Sequence, residues 1–394
     1  MKVFGIIMET NPLHNGHSYF IKKIKEIYQP DVLIAITSTS FTMRGDISVI
    51  DKFTKTDQLL NAGIDIILEL PFTLALQSAD YFAKNAIEIL NGIKITDLVF
   101  GSEIDNYEFY DKCLNIINNF NNYDNKFSKK QNINTLLTEV NLTKDEINIF
   151  NKPNFTLSLQ YVNYIKNNNL NINYHIIKRI DNDYYDEVAT TNIASATTLR
   201  KYLLDGKEIN NYVPYYTNNY VNEKLAKNNL FTVVKYKYLI NNNINYIDNE
   251  GITNYIINNG NFNNNFDELI DSLKNKKYTA SRIRRTILQY ILNTQYDSSI
   301  NYKNYLRILG INKTGLKYLN TLPKETKNQL FSSPNEKNSL NNNMNTILNT
   351  EINATKLFGI ITNNLEIYKN ELKWIKTKIK CLSRPFKWFY NWRN

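Results

Sequence analysis

Two of the chain's three histidines, His14 and His17, stand three residues apart with Gly16 between them, inside Glu9-Thr10-Asn11-Pro12-Leu13-His14-Asn15-Gly16-His17. An apolar run from Val3 to Met8 precedes this stretch and reads as a buried strand; Ser18 to Tyr28 follows it and reads as a helix. The histidines therefore sit where a strand hands over to a helix N-terminus. Such a terminus presents unpaired N–H groups and a partial positive charge, so it attracts phosphate. A glycine just inside lets a ligand approach the backbone closely. Two imidazoles at this spacing lie side by side, able to donate hydrogen bonds to a triphosphate and to stabilise the charge that builds as pyrophosphate leaves. Asn11-Pro12 makes a rigid turn out of the strand. A helix cap and a surface side chain would be the simpler roles for an isolated pair; the surrounding N-P-x-H-x-G-H argues for the phosphate site.

A second segment points the same way. Ile193-Ala194-Ser195-Ala196-Thr197-Thr198-Leu199-Arg200 opens a helix with small hydroxylated residues and places an arginine a turn and a half later. Ser195, Thr197 and Arg200 suit a phosphate at a helix N-terminus, although Ser195 alone would serve as a plain N-cap. The chain has neither G-x-G-x-x-G nor G-x-x-x-x-G-K-[ST], which disfavours a dinucleotide-binding Rossmann enzyme and a P-loop enzyme.

The elements that must position these residues follow from the apolar pattern. Strands are expected at 3–8, 31–37, 65–70, 96–100 and 174–178, with helices at 18–28, 52–61, 78–90 and 195–204. Non-alternating apolar strands separated by amphipathic helices indicate a parallel sheet covered on both faces, whose ligands bind beyond the carboxyl ends of the strands. After about residue 205 strands become scarce and helical segments take over, clearest at 274–293 and 314–322. The chain is thus read as α/β: a Rossmann-like parallel-sheet domain over 1–205, then a mainly α-helical, basic domain over 206–394.

Composition bounds the rest. At 394 residues with 42% hydrophobic and 13% aromatic content, the chain can bury proper cores. Asparagine fills about one position in six, a bias of an AT-rich genome rather than a prion-like feature. Cys113 and Cys381 lack metal-ligand spacing and suit free thiols in a reducing cytoplasm. No resident metal site is expected, nor a signal peptide, and no stretch reaches the length of a membrane span. Seven of the ten net positive charges fall between Leu372 and Asn394, a segment without an acidic residue. There Trp374, Phe386, Trp388, Phe389, Tyr390 and Trp392 alternate with Lys and Arg. That mixture suits RNA, docking of the aromatics into the core, or an anionic lipid surface.

Taken in order, N-P-x-H-x-G-H, Phe41-Thr42-Met43-Arg44-Gly45-Asp46, Lys52, Gly63 to Pro71, Phe100-Gly101-Ser102-Glu103, Lys152-Pro153-Asn154, Lys178-Arg179-Ile180, S-x-T-x-x-R, Tyr278 to Arg285 and Tyr305 to Gly310 form a series. It resembles the bacterial tRNA(Met) cytidine acetate ligase family, within the H-x-G-H nucleotidyltransferase superfamily, over essentially the full length. At Thr10, Lys55, Phe155 and Ser158 the chain departs from that pattern. The resemblance implies a nucleotidyltransferase domain that uses ATP and acetate to form acetyl-adenylate and pyrophosphate, then acetylates the wobble cytidine of elongator tRNA(Met). It implies ATP contacts from Ile7, Met8, Glu9, Thr10, Asn11, Pro12, Leu13, His14, Asn15, Gly16, His17, Ser18, Tyr19 and Phe20, and from Gly101, Asn154, Arg179 and Ile180. His14 and His17 would be catalytic, Ser195, Thr197 and Arg200 would complete the phosphate site, and Mg²⁺ would accompany ATP. Lys52 and Arg44 are cations that could face acetate, ATP or RNA. Arg282, Arg284 and Arg285 are the candidate internal RNA contacts. A small-molecule adenylyltransferase of the same superfamily and a nonenzymatic RNA-binding protein are the alternatives.

Overall fold

Each of the five apolar runs in the first half forms a strand: β1 (Val3–Ile7), β2 (Val32–Ser38), β3 (Ile66–Leu70), β4 (Asp97–Ser102) and β5 (Asn173–Lys178). The structure is a computed structural model that describes residues 1–118, 142–179, 192–240, 251–294, 296–334 and 340–373. All seven residues of β2 are buried. Leu33 and Ala35 pack into one hydrophobic cluster, Ile34 and Ile36 into another. Both faces of the sheet are therefore covered, which is why these strands read as continuous apolar runs. Burying each of the larger side chains contributes about 2 kcal/mol.

The seven strands lie in the order β5-β4-β1-β2-β3-β6-β7. From β1 the chain steps outward through β2 and β3, then crosses to the other side of β1 to lay down β4 and β5, all parallel. The crossover leaves a switch point between β1 and β4. In open parallel sheets the carboxyl end of that crevice is where ligands bind. The histidine motif follows β1, and Gly101 lies near the end of β4, so the topology brings them to one edge.

Helices dominate after residue 205, but two strands return to the sheet. β6 (Leu306–Ile311) pairs antiparallel with β3, and β7 (Leu330–Phe331) pairs parallel with β6. The expected helix at 314–322 forms over Lys313–Thr321, whereas the one expected from 274 starts only at Ala280, capped by Thr279. β6 escapes sequence reading because its six buried residues include Arg307. A charge in a short run disguises a fully buried strand.

That arginine belongs to an ion cluster sealed between the first and second halves. Lys52 Nζ lies 3.2 Å from Glu69, 2.9 Å from Glu351 and 2.8 Å from Glu371. Arg307 lies 3.0 Å from Glu69 and 2.9 Å from Glu371, and the Tyr305 hydroxyl donates to Glu69 at 2.7 Å. Burial opposes the charge on Lys52, but Glu351, Glu371 and Glu69 outweigh it and hold its pKa above the ordinary lysine value. Lys52 is thus an internal counter-ion and faces none of acetate, ATP or RNA. Among the described residues no helix is long and apolar enough to cross a membrane.

Candidate active site

The helix after β1, α1 (Asn15–Tyr28), starts three residues earlier than the sequence pattern suggests, because the histidines cap it. His14 is the N-cap, and its Nδ1 accepts from the Gly16 N–H at 3.1 Å. His17 stands at the third helical position, where its Nδ1 accepts from the His14 N–H at 3.3 Å. This reciprocal arrangement is a capping box built from two imidazoles instead of Ser and Glu. The ring centroids are 3.8 Å apart. A Cβ at position 16 would come within 2.9 Å of the His14 ring, so only glycine leaves room for the pair.

The cap dictates the chemistry. Burial, reinforced by Arg179, lowers His14 to about 4. Burial, then His14, then Arg179, hold His17 well below the usual histidine value. Both rings are neutral at pH 7, and with each Nδ1 accepting, each proton sits on Nε2. The pair thus offers two neutral N–H donors beside the positive end of a helix.

These residues line a cleft of about 560 Å³ at the switch point. Ile7 to Asn11, His14, Gly16, His17, Tyr19 and Phe20 form one wall, and Gly101, Asn154 and Arg179 another. Gly101 lies against Arg179, and an added Cβ there would stand 3.3 Å from its Cγ. Asn154 is fixed by Glu103: its amide donates to Oε1 at 2.8 Å, while its own N–H and that of Phe155 donate to the same carboxylate at 3.2 and 2.6 Å. Glu103 therefore caps the helix Pro153–Asn167 from the end of β4, a role served by no side chain of Lys152.

Ser195, Thr197 and Arg200 line the same cleft. Ser195 does N-cap its helix, accepting from the Thr198 N–H at 3.1 Å. Arg200 donates to the Asn11 carbonyl at 2.9 Å and to Thr197 at 3.2 Å. Asn15 donates to the carbonyls of Asn192 and Asn211 at 2.7 and 2.9 Å. The two motifs, far apart in sequence, are stitched together so that two helix N-termini open into one cavity. Four members of the expected ATP segment are absent from the lining. Leu13 is core, Asn15 is the stitch just described, and Pro12 and Ser18 stand behind the wall. Ile180 lies outside the described residues.

A third wall comes from Thr42, Met43, Arg44 and Asp46. Here the basic cluster of the second half has an unexpected use. Arg284 donates to the Arg44 carbonyl at 3.2 Å and pairs with Asp46 at 3.2 Å; Arg285 donates to the Met43 carbonyl at 3.3 Å. Burial lowers Arg285 to about 10. These two arginines brace the cleft wall, while Arg282 lies 5.6 Å over the Tyr278 ring. Sequence reading also missed Leu157 and Tyr161 as lining residues; they lie in an ordinary amphipathic helix, without a local signal.

Residues 1–373 match the sequence profile of the HIGH Nucleotidyl Transferase family. The tRNA(Met) cytidine acetate ligase of Clostridium botulinum strain Hall is 32% identical over 399 residues, covering 93% of this chain and 96% of that protein. The Listeria monocytogenes protein of the same name is 35% identical over 341 residues, covering 81% and 86%. The crystal structure of apo Thermotoga maritima TmcAL superimposes with a TM-score of 0.78 at 22% identity, covering 96% of this chain and 99% of that one. The form bound with alpha-thio ATP gives 0.77 at 24% identity. Those two structures share the fold. The sequence matches go further: the chain belongs to the tRNA(Met) cytidine acetate ligase family of HIGH nucleotidyl transferases.

Proposed function

We propose that the protein activates acetate with ATP and transfers the acetyl group to the exocyclic amine of the wobble cytidine of elongator tRNA(Met). One observation carries the first step. Two helix N-termini, the Nε2 donors of His14 and His17, and Arg179 converge on one cleft of about 560 Å³ at the switch point. That volume suits a nucleotide. Acetate oxygen attacks the α-phosphorus of ATP, and pyrophosphate departs. The negative charge gathers where the imidazole N–H groups and Arg179 stand, so those donors bind the transition state more tightly than ATP itself. Mg²⁺ would accompany the nucleotide, held mainly by its phosphate oxygens.

For the acceptor, the curated relatives named for tRNA(Met) supply the reading. Arg282 and the basic, aromatic segment from Leu372 to Asn394, most of which lies outside the described residues, are the RNA contacts proposed. A single-stranded anticodon loop exposes its bases to stacking and edge recognition. An enzyme of this kind works in the cytoplasm, with its tRNA. Nucleoside analysis of tRNA after incubation with ATP and acetate tests the reading. Acetylcytidine at the wobble position is expected; its absence, or pyrophosphate exchange without need for acetate, overturns it.

A further inference from the structure

We propose that Glu9 is the general base that takes the proton from the acceptor amine, an inference that rests on the acetyl-transfer reading above. Glu9 stands just beyond β1 and lines the cleft. Both of its hydrogen bonds land on one oxygen: Oε1 accepts from the Met43 N–H at 2.7 Å and from the Ser38 hydroxyl at 3.0 Å. The carboxylate is thereby oriented through Oε1, and Oε2 accepts no hydrogen bond among the described residues.

Charge assigns its side of the reaction. A carboxylate repels acetate and triphosphate, and the donors for those anions are His14, His17, Arg179 and the helix N-termini. An exocyclic amine is instead a hydrogen-bond donor, which a carboxylate accepts. The other proton-acceptor candidates of the lining, the two imidazoles and Asp46, are engaged. Both imidazoles carry their proton on Nε2 and accept through Nδ1, so neither is a base. Asp46 is paired with Arg284. Glu9 is surrounded by Lys55 from the helix Lys52–Asn61, Asp46 from the loop and Tyr161 from the helix Pro153–Asn167. Burial raises its pKa above the usual carboxylate value, against hydrogen bonds from Met43 and Ser38 and the charge of Lys55. A raised pKa makes a carboxylate a better proton acceptor near neutrality.

The step balances. The cytidine amine nitrogen attacks the carbonyl carbon of acetyl-adenylate and the N–C bond forms. The bond from that carbon to the phosphate oxygen breaks, AMP leaves with the electron pair, and the nitrogen's proton passes to Glu9.

Full-length protein and two separate readings test this. Acetate-dependent ATP–pyrophosphate exchange reports activation; single-turnover acetylation at saturating tRNA reports transfer. Glu9→Gln, which keeps an acceptor for the Met43 N–H, is expected to slow transfer by at least about 100-fold while exchange falls less than about tenfold. The rise of transfer with pH in the wild type disappears in that variant, and Glu9→Asp recovers part of both rate and pH dependence. Equal loss in the two reactions, or transfer by Glu9→Gln at the wild-type rate, overturns the assignment. If Glu9→Gln does not fold, the wild-type profile decides: a transfer rate flat from about pH 5 to about pH 8 overturns it, and a rise across that interval supports it. Wild-type protein without acetate-dependent exchange would sink the acetate-ligase reading instead, and is told apart by that.

Discussion

Lys52 and Lys55 lie one helical turn apart on the same helix, both fully buried, yet they serve opposite kinds of region. Lys52 is enclosed by Glu69, Glu351 and Glu371. Lys55 donates to the carbonyls of Ser38 and Thr39 at 2.9 and 3.3 Å, behind the cleft wall that holds Glu9. Burial lowers Lys55 to about 8 while it raises the need for counter-charge at Lys52. In the ion cluster, charges answer charges and the assembly is closed to solvent. In the cleft, His14 and His17 are anchored through Nδ1 and Glu9 through Oε1, and each leaves a second polar atom without a hydrogen bond among the described residues. Half-satisfied groups held rigidly at a cleft make a site; buried charges paired with one another make a strut.

The sharpest way to break this contrast is to remove one member of the strut. Lys52→Met leaves Glu351 buried without its cation, and unpairing a buried charge costs about 3–5 kcal/mol. A large fall in melting temperature is expected; an unchanged melting curve would mean that the cluster holds nothing together. At the cleft the largest effect falls on rate. If His17 donates to the departing pyrophosphate as proposed, His17→Ala is expected to lose about 100- to 1000-fold in exchange, with the fold kept at a cost of about 1 kcal/mol for the cap. Full exchange activity would show the phosphate site to be elsewhere.

The neutrality of His14 makes a pH prediction. Its native pKa of about 4 lies below the ordinary 6.5. As pH falls through 6.5 the unfolded chain takes up this proton first, so stability is full above that value and declines down to about 4, by roughly 3 kcal/mol at most. Denaturant unfolding across this range should show the decline in the wild type and a flatter profile in His14→Asn, which keeps a capping side chain. Identical profiles would mean that His14 is protonated in the native protein. The smallest effect compares neighbouring arginines. Arg284→Ala should cost about 1 kcal/mol and raise the KM for ATP by loosening the Arg44–Asp46 wall, whereas Arg282→Ala should weaken tRNA binding alone. The reverse pattern would return Arg284 to the RNA surface.

Much of the cleft is legible in the order of residues. The strands at 32–38 and 66–70 and the helix at 52–61 follow from apolar runs and caps whose partners are close in sequence. The motif at 9–17 and the helix start at Ser195 could each be tied to phosphate by helix-end chemistry. Their meeting was implied only by the family resemblance, because the Arg200–Asn11 bond that joins them links residues 189 apart. The contacts of the arginine run at 282–285 were not legible for a similar reason: two of its members donate to a loop in the first half, and a basic helix face looks the same whether it meets RNA or backbone carbonyls.

What the chain's order of residues determined by itself is local and periodic: five strands of a parallel sheet, two helix N-termini and two scarce histidines beside a glycine. These depend on side-chain pattern over a few residues, where physics acts within a turn or a strand. What only the tertiary structure decided is which polar groups answer one another: Lys52 to Glu351 across 299 residues, Arg285 to Met43 across 242, and the imidazole pair turned by its own backbone to leave Nε2 open. Charge and hydrogen bonding act between whatever the fold brings within about 3 Å, and sequence distance carries no record of that.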